Sequence, residues 1–335
     1  MSKEYEANVV KELTDMVNEG LYQFGLGPLS TAKLLNLSEN ATFYASDPAD
    51  GNEIIIRVGR SGYSSKEEIS SEMVWVQALI DEKVLNTANP VKTISNEYVA
   101  TMHTKSGQER MVVAFEKLEG SQPDVGQANI LYWFELIGEV TAKLHKQAKS
   151  WKKPEWFTRR VWDYDGIIGE HAFWGSWKDA IGLTSDGYKI VEKALAKVKP
   201  IIDNYGITKD NFGVIHSDIR STNLLLHEDK VQIIDFDDMG YGWYLFDCAA
   251  TLSFMEESEI APDLLKAWIK GYEKVTKLSD YEKSLLPTFS ILRRIELMAW
   301  CSSHNEIPFC QRVSLQCTKD TEKLCEKYLS DTYLV

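Results

Sequence analysis

The feature that most constrains the fold is a short strand-like stretch, residues 213–237, set within a region that otherwise has helical spacing. An apolar strand leads into a polar segment, here called the polar loop (His216–Asn223), and two further short apolar strands follow. Alternating runs of this length predict a small hairpin. Pairing its strands brings Asp218 and Asn223 close to Asp235, although Asp235 lies 17 residues after Asp218. The stretch therefore predicts carboxylate and amide groups gathered in one place.

The rest of the chain divides into a β-rich first part and a helical second part. Residues 34–118 read as strands with one helix among them, and that helix begins at a capping box made by Ser65 and Glu68. The second part shows helical spacing over three segments: 130–148, 186–205 and 262–328. We predict an α+β fold with a small N-lobe, residues 1–118, and a large, mainly helical C-lobe, residues 119–335.

Composition narrows the classes of partner. The net charge of −13 argues against nucleic acid or an anionic membrane as the main partner, because both attract clustered Lys and Arg. No apolar run approaches the roughly 18–20 residues that span a membrane. The charged segment Met1–Leu21 is typical of a helix and not of a signal peptide, so we expect a cytoplasmic protein. The cysteines form no CxxC pair and are expected to be buried thiols: Cys248, Cys301, Cys310, Cys317 and Cys325.

The residues of the strand-like stretch suit phosphoryl transfer. That reaction needs a carboxylate to orient an attacking hydroxyl, and oxygen ligands for Mg²⁺. The pattern His-x-Asp-x-x-x-x-Asn in the polar loop, followed by Asp-Phe-Asp at 235–237, supplies both. Loops rich in Asp, Asn and Ser also form between strands for conformational reasons alone. Two such motifs in this order, flanked by apolar strands, favour the chemical interpretation.

These motifs resemble the catalytic and metal-binding loops of the protein-kinase-like superfamily, and within it the aminoglycoside phosphotransferase and choline kinase family. The resemblance implies a two-lobed protein-kinase-like fold that uses ATP or GTP with Mg²⁺. It makes Asp218 the counterpart of the catalytic base, and it places Arg220 near the γ-phosphate. Asn223 and Asp235 match the magnesium ligands, and His216 matches a structural histidine beneath the loop.

The resemblance also implies roles outside the polar loop. Arg57 stands where kinases carry a phosphate-binding Lys, and its planar guanidinium suits phosphate. Its partner on the following helix is expected to be Glu72, with Glu68 as the alternative. Asp247 resembles the family aspartate that bonds the backbone of the catalytic loop, and it would also suit a helix N-cap. Further nucleotide contacts are expected from the loop at residues 37–42, between the first two predicted strands, and from the end of the first part: Asn40, Thr42, Glu116 and Leu118.

The acceptor is expected to be a small molecule. Only eleven residues separate Asp235 from Asp247, and no Ala-Pro-Glu follows, so the activation segment that presents a peptide is missing. We expect transfer to a hydroxyl of an aminoglycoside, an amino alcohol or a hydroxy amino acid. The alternative is a protein Ser/Thr kinase of the bacterial stress-response type, which the segment 162–177 resembles, as it does the homoserine-kinase-like members.

Candidate acceptor-binding residues lie beyond the metal motif and near the C-terminus. Arg293, Glu296 and Trp300 recur at helical spacing and could share one face, although packing explains any one of them equally well. Abundant Trp and acidic residues would suit an amine or a quaternary ammonium group. The sequence does not indicate the oligomeric state. The other candidates are Asp237, Asp238, Tyr241, Trp243, Trp162, Asp163, Trp174, Trp177 and His304.

Overall fold

The structure is a computed structural model that describes three stretches of the chain: residues 7–123, 129–228 and 230–334. The described residues form two compact units, unit 1 from Met1–Glu119 with Lys153–Thr158, and unit 2 from Gly120–Lys152 with Arg159–Val335. Unit 1 is built around an antiparallel sheet and unit 2 is mainly helical, so the predicted α+β class is confirmed. No helix in the described stretches is long and apolar enough to cross a membrane.

The elements of unit 1 are α1 (Ala7–Gly20), β1 (Thr31–Leu37), β2 (Ala41–Ser46), β3 (Glu53–Val58), α2 (Lys66–Asp81), β4 (Pro90–Val91), β5 (Ala100–His103) and β6 (Glu109–Glu116). Its strands lie in the order β1-β2-β3-β6-β4, with β5 also paired to β6. Helix α1 agrees with the predicted N-terminal helix from residue 7 onward, and residues 1–6 of that prediction lie outside the described residues. The short strand β4 was not predicted.

The two faces of this sheet pack against different parts of unit 1. Alternation along β3 buries Ile54 and Ile56 in the core on one face. The other face carries Arg57 and is covered by α2, which starts at the predicted capping box. There the Glu68 N–H donates to Ser65 Oγ over 3.1 Å and the Ser65 N–H donates to Glu68 Oε2 over 2.8 Å. Arg57 therefore meets the helix on a buried face of the sheet.

Unit 2 contains the predicted long helices, and the predicted segment 262–328 proves to be three helices. All five cysteines are buried free thiols, as predicted. The elements are α3 (Ile130–Ser150), β7 (Val161–Trp162), α4 (Tyr164–Ile168), α5 (Ser185–Tyr205), β8 (Phe212–Ile215), β9 (Leu224–His227), β10 (Lys230–Ile233), β11 (Gly240–Trp243), α6 (Tyr244–Thr251), α7 (Ala261–Tyr272), α8 (Asp280–Ser303) and α9 (Pro308–Leu329).

Two small sheets frame the polar loop. Strands β9 and β10 form the predicted hairpin, with Leu224 opposite Ile233 and His227 opposite Lys230. Strand β11 pairs with β8 antiparallel and with β7 parallel. The polar loop joins β8 to β9, and the segment that follows β10 leads to β11. The polar loop and the segment after β10 therefore each begin at the end of a strand that is held in a sheet.

Helices α3 and α7 approach each other so closely that the contact requires glycine on both. A Cβ atom added to Gly138 would overlap the carbonyl oxygen of Trp268, and one added to Gly271 would overlap that of Glu135. Backbone on backbone leaves no flexible atom to move aside. The crossing of these two helices therefore depends on the missing side chains.

Replacing Gly271 with Ala should destabilise unit 2 by about 1–3 kcal/mol, because the helices must separate to admit the methyl group. Gly59→Ala is the matched control, since its Cβ would lie 3.4 Å from the Met111 carbonyl oxygen, an ordinary contact. Urea unfolding of both variants measures the difference. Equal stability of Gly271→Ala and the parent protein would contradict the close packing.

Candidate active site

The polar loop contains a residue with an unfavourable backbone conformation. Ser217 has φ +64°, a left-handed value that residues other than Gly, Asn and Asp seldom adopt. Its N–H donates to Asp247 Oδ1 over 2.7 Å, and the neighbouring His216 N–H donates to Asp247 Oδ2 over 3.1 Å. The Ser217 hydroxyl donates to the carbonyl of Asp238 over 2.7 Å. These bonds hold Ser217 in its left-handed conformation, and that conformation sets the direction of the next residue, Asp218.

Asp247 is fully buried inside α6. The N-cap position of that helix is held by Trp243, so the alternative role of Asp247 as an N-cap is wrong. His145 Nε2 lies 2.9 Å from Asp247 Oδ2, and His145 Nδ1 lies 2.9 Å from the Tyr272 hydroxyl. Burial lowers the pKa of His145, against the opposing effect of Asp247. A neutral His145 that donates from Nε2 and accepts from Tyr272 satisfies every one of these contacts.

The carboxylate of Asp218 is held by three donors. Oδ2 accepts from Arg220 Nε over 3.0 Å and from Asn223 Nδ2 over 2.8 Å, and Oδ1 accepts from Arg293 Nη2 over 2.6 Å. The side chain is nevertheless 12% exposed. An ionised carboxylate has about four acceptor positions. One position on Oδ1 therefore remains for a group that approaches from solvent.

Asn223 and Asp235 are brought side by side by the β9–β10 hairpin. The Ile234 N–H donates to the Asn223 carbonyl over 3.0 Å, which places the exposed Asp235 next to Asn223. The amide nitrogen of Asn223 bonds Asp218, so its oxygen points away from that carboxylate. One amide and one carboxylate oxygen fit Mg²⁺, which completes its octahedron with phosphate oxygens and water. Within the described residues no cluster of three His, Cys, Asp or Glu competes as a metal site.

The segment after Asp235 is held by Arg159, which the sequence did not indicate, and by Trp162, which was expected on the acceptor side. Arg159 Nε donates to the Met239 carbonyl over 2.6 Å, and its Nη2 donates to the carbonyl of Asp237. Trp162 Nε1 donates to the Asp238 carbonyl over 2.7 Å. These contacts join positions 76–80 apart in the chain, and no periodicity signals them. They hold the short segment without any activation-type extension.

Arg293, a candidate acceptor residue, bonds Asp218 and contacts two further candidates, Glu296 and Trp174. The Arg293 guanidinium donates from Nη1 to Glu296 Oε2 over 2.9 Å and lies 4.7 Å from the ring centre of Trp174. The Trp174 ring in turn lies 6.1 Å from that of Trp300. Burial raises the pKa of Glu296 to about 7, although Arg293 opposes that rise. Of the residues Arg293, Glu296 and Trp300, Arg293 is therefore the one that bonds the polar loop directly.

Two further candidates, His216 and Trp243, are buried and make packing contacts. His216 is fully buried, with Nε2 3.3 Å from the Ile234 carbonyl and its ring 4.6 Å from that of Phe236, beneath the loop. Trp243 does not join the Asp218 group. Its indole N–H donates to the Gly206 carbonyl over 2.8 Å and its ring packs against Phe289, because a buried indole needs one acceptor and an apolar wall.

In unit 1, Arg57 pairs with Glu72. The guanidinium makes two bonds to the carboxylate, of 2.8 and 2.6 Å, and both side chains are buried. The alternative partner, Glu68, is used by the capping box. Thr42 lies opposite Arg57 on β2, and Asn40 lies in the β1–β2 connection. Glu116 ends β6 and accepts from the Asn89 side chain over 2.7 Å, and Leu118 follows in the chain.

Comparison with known proteins adds to this geometry. Residues 31–283 match the model of the phosphotransferase enzyme family. A solved structure of the microcompartment-associated aminopropanol kinase is 31% identical, with a TM-score of 0.86 over 95% of this chain and 98% of that one. Amicoumacin kinase of Bacillus subtilis (strain 168) is 22% identical over 73% of each chain. A solved amicoumacin kinase in complex with AMP-PNP, Ca²⁺ and Ami has a TM-score of 0.76 at 20% identity, covering 100% of this chain and 98% of that one.

Asp247→Asn should destabilise the protein by about 2–3 kcal/mol, because one of the oxygens that accept from the polar loop and His145 becomes a donor. Asp263→Asn, at an exposed position on α7, is the control and should change stability by about 0.5 kcal/mol or less. Urea unfolding at pH 7 compares the two variants. A similar small effect for both would show that Asp247 does not hold the loop.

Proposed function

The chain belongs to the phosphotransferase enzyme family, and from this premise we propose that it transfers the γ-phosphate of ATP, with Mg²⁺, to the hydroxyl of a small amino alcohol. The observation that carries the proposal is the Asp218 carboxylate, fixed by three donors with one acceptor position left on Oδ1. The similarity to an aminopropanol kinase across nearly the whole chain supports the acceptor class.

In the proposed reaction the acceptor hydroxyl donates a hydrogen bond to Asp218 Oδ1. The hydroxyl oxygen of the acceptor forms a bond to the γ-phosphorus. At the same time the bond from that phosphorus to the β–γ bridging oxygen breaks, and ADP leaves with the electron pair. The hydroxyl proton passes to Asp218. Arg220, bonded to the other oxygen of the same carboxylate, carries positive charge beside the transferring group.

The remaining roles follow from the kinds of atom that each residue offers. Asn223 and Asp235 would hold Mg²⁺, which when bound neutralises phosphate charge. Arg57, oriented by its two bonds to Glu72, would bind nucleotide phosphate. Asn40, Thr42, Glu116 and Leu118 remain candidates for nucleotide contacts, and Asp237 and Trp300 for the acceptor side.

Replacing Asp218 with Asn should lower kcat about 10²- to 10⁴-fold, because the amide cannot take the hydroxyl proton. Nucleotide affinity should change little. The assay is ³¹P NMR of Mg-ATP with 1-amino-2-propanol and related hydroxyl compounds, together with calorimetric titration of AMP-PNP. Asp210→Asn, exposed before β8, is the control. Unchanged turnover in Asp218→Asn would remove this residue from the mechanism.

Asp235→Asn should raise the half-saturating Mg²⁺ concentration by about 10-fold or more, because a neutral amide is a weaker ligand than a carboxylate. The rate of ADP formation is measured against Mg²⁺ at saturating ATP and acceptor. Asp237→Asn, two residues further on, provides the comparison within the same motif. A Mg²⁺ dependence equal to that of the parent protein would exclude Asp235 as a ligand.

A further inference from the structure

One of the three donors to Asp218 comes from outside the polar loop. Oδ2 has two donors, Arg220 and Asn223, both from the polar loop itself. Oδ1 has Arg293, which reaches it from α8, 75 residues away in the chain. The acceptor position left open is also on Oδ1, so Arg293 is the donor that shares an oxygen with that position.

Arg293 is held in turn by its own surroundings. Its side chain is 1% exposed, its Nε donates to Ser253 Oγ over 3.2 Å, and its guanidinium covers the face of Trp174. Arg293 Nη1, the nitrogen that does not bond Asp218, forms a 2.9 Å ion pair with Glu296 Oε2. Asp218, Arg293 and Glu296 therefore form a buried series of carboxylate, guanidinium and carboxylate.

Glu296 is costly to the fold as it stands. It is fully buried, and its Oε1 has no hydrogen-bond partner. A half-satisfied buried carboxylate is less favourable than an apolar side chain of similar size. Packing of α8 therefore does not account for a glutamate at this position.

Resting on the proposed function, we propose that Glu296 is a positioning residue for phosphoryl transfer, which acts through Arg293 to aim Asp218 Oδ1 at the acceptor hydroxyl. An ionised Glu296 pulls on Nη1 while Asp218 holds Nη2, and the guanidinium is fixed between the two carboxylates. A neutral Glu296 releases one side of this arrangement, and Arg293 shifts toward Asp218 and toward the position that the hydroxyl must occupy.

The protonation of Glu296 gives this arrangement a pH dependence. The charged groups that act on it are Arg293 on its own helix and Asp218 from the polar loop, and burial raises its pKa to about 7. Because that pKa is raised on folding, the contribution of Glu296 to stability is present at low pH and is lost as the pH rises through about 7. Ionised Glu296 is thus the main form above pH 7, and kcat should rise as the pH increases through about 7.

Glu256 offers a closely matched control. It is also buried, it also has an unpartnered Oε1, and its Oε2 accepts from Arg294, the residue that follows Arg293 on the same helix. The Glu256–Arg294 pair has no contact with Asp218 among the described hydrogen bonds. Glu256→Gln therefore reproduces the loss of a buried charge without touching the Asp218 series.

The experiment measures kcat and KM of the parent protein, Glu296→Gln, Glu296→Met and Glu256→Gln from pH 5.5 to 9, with Mg-ATP and 1-amino-2-propanol or the best acceptor found. We expect both Glu296 variants to lose about 10- to 100-fold in kcat above pH 7, with little change in KM, and to lose the rise near pH 7. Glu256→Gln should keep both kcat and the rise.

Two other outcomes overturn the proposal for Glu296, and a third contradicts the proposed function. Equal kcat profiles for Glu296→Gln and Glu256→Gln, with transfer intact, would reject Glu296 and leave the proposed function standing. A parent profile that is flat through pH 7 would reject it without any variant, so a folding defect in the variants does not remove the test. Absence of transfer by the parent protein with every acceptor would instead contradict the proposed function.

Discussion

The buried carboxylate of Asp247 is the interaction on which the candidate site depends. It receives two backbone N–H groups from the polar loop and a ring nitrogen of His145. Without an acceptor there, the two N–H groups would be buried and unpaired. Ser217 holds its left-handed backbone, which costs about 1–3 kcal/mol, against this anchor. A strained loop fixed in this way presents Asp218 in one orientation.

A second segment of the candidate site is also held by side chains. In the chain from Asp235 to β11, three consecutive carbonyls, those of Asp237, Asp238 and Met239, accept bonds from Arg159 or Trp162. The Asp238 carbonyl also accepts from Ser217, so the polar loop and this segment share one acceptor. The polar loop and the segment after Asp235 are thereby linked by hydrogen bonds.

The sequence predicted the contacts between residues that lie close together in the chain. The polar loop, the hairpin and Asp235 lie within one short stretch, and Arg57 meets Glu72 across a single strand–helix connection. Capping chemistry even explains why Glu68 is not the partner. The bond from Arg293 to Asp218 spans 75 residues and arises from the packing of α8, which hydrophobic periodicity does not reveal. The sequence shows that Trp243 is an aromatic residue near a motif, but it does not show Phe289, which packs against its ring, or the Gly206 carbonyl that accepts from its indole N–H.

Helix α8 carries two buried arginine–glutamate ion pairs that differ in their further contacts. Arg293 and Arg294 are consecutive, so their side chains diverge by about 100° around the helix, and both are buried against a glutamate. Arg294 also donates to Thr321, which joins α8 to α9. Buried ion pairs of this sort are weak evidence for stability, since apolar replacements often serve as well. Both arginines also contact a second carboxylate: Arg294 lies 3.5 Å from Glu257, whose side chain is 43% exposed, and Arg293 bonds Asp218. What distinguishes Arg293 is that its second carboxylate, Asp218, is also bonded by Arg220 and Asn223 of the polar loop. A buried ion pair therefore points to chemistry here through the residues it is joined to, and not through burial or solvent contact alone.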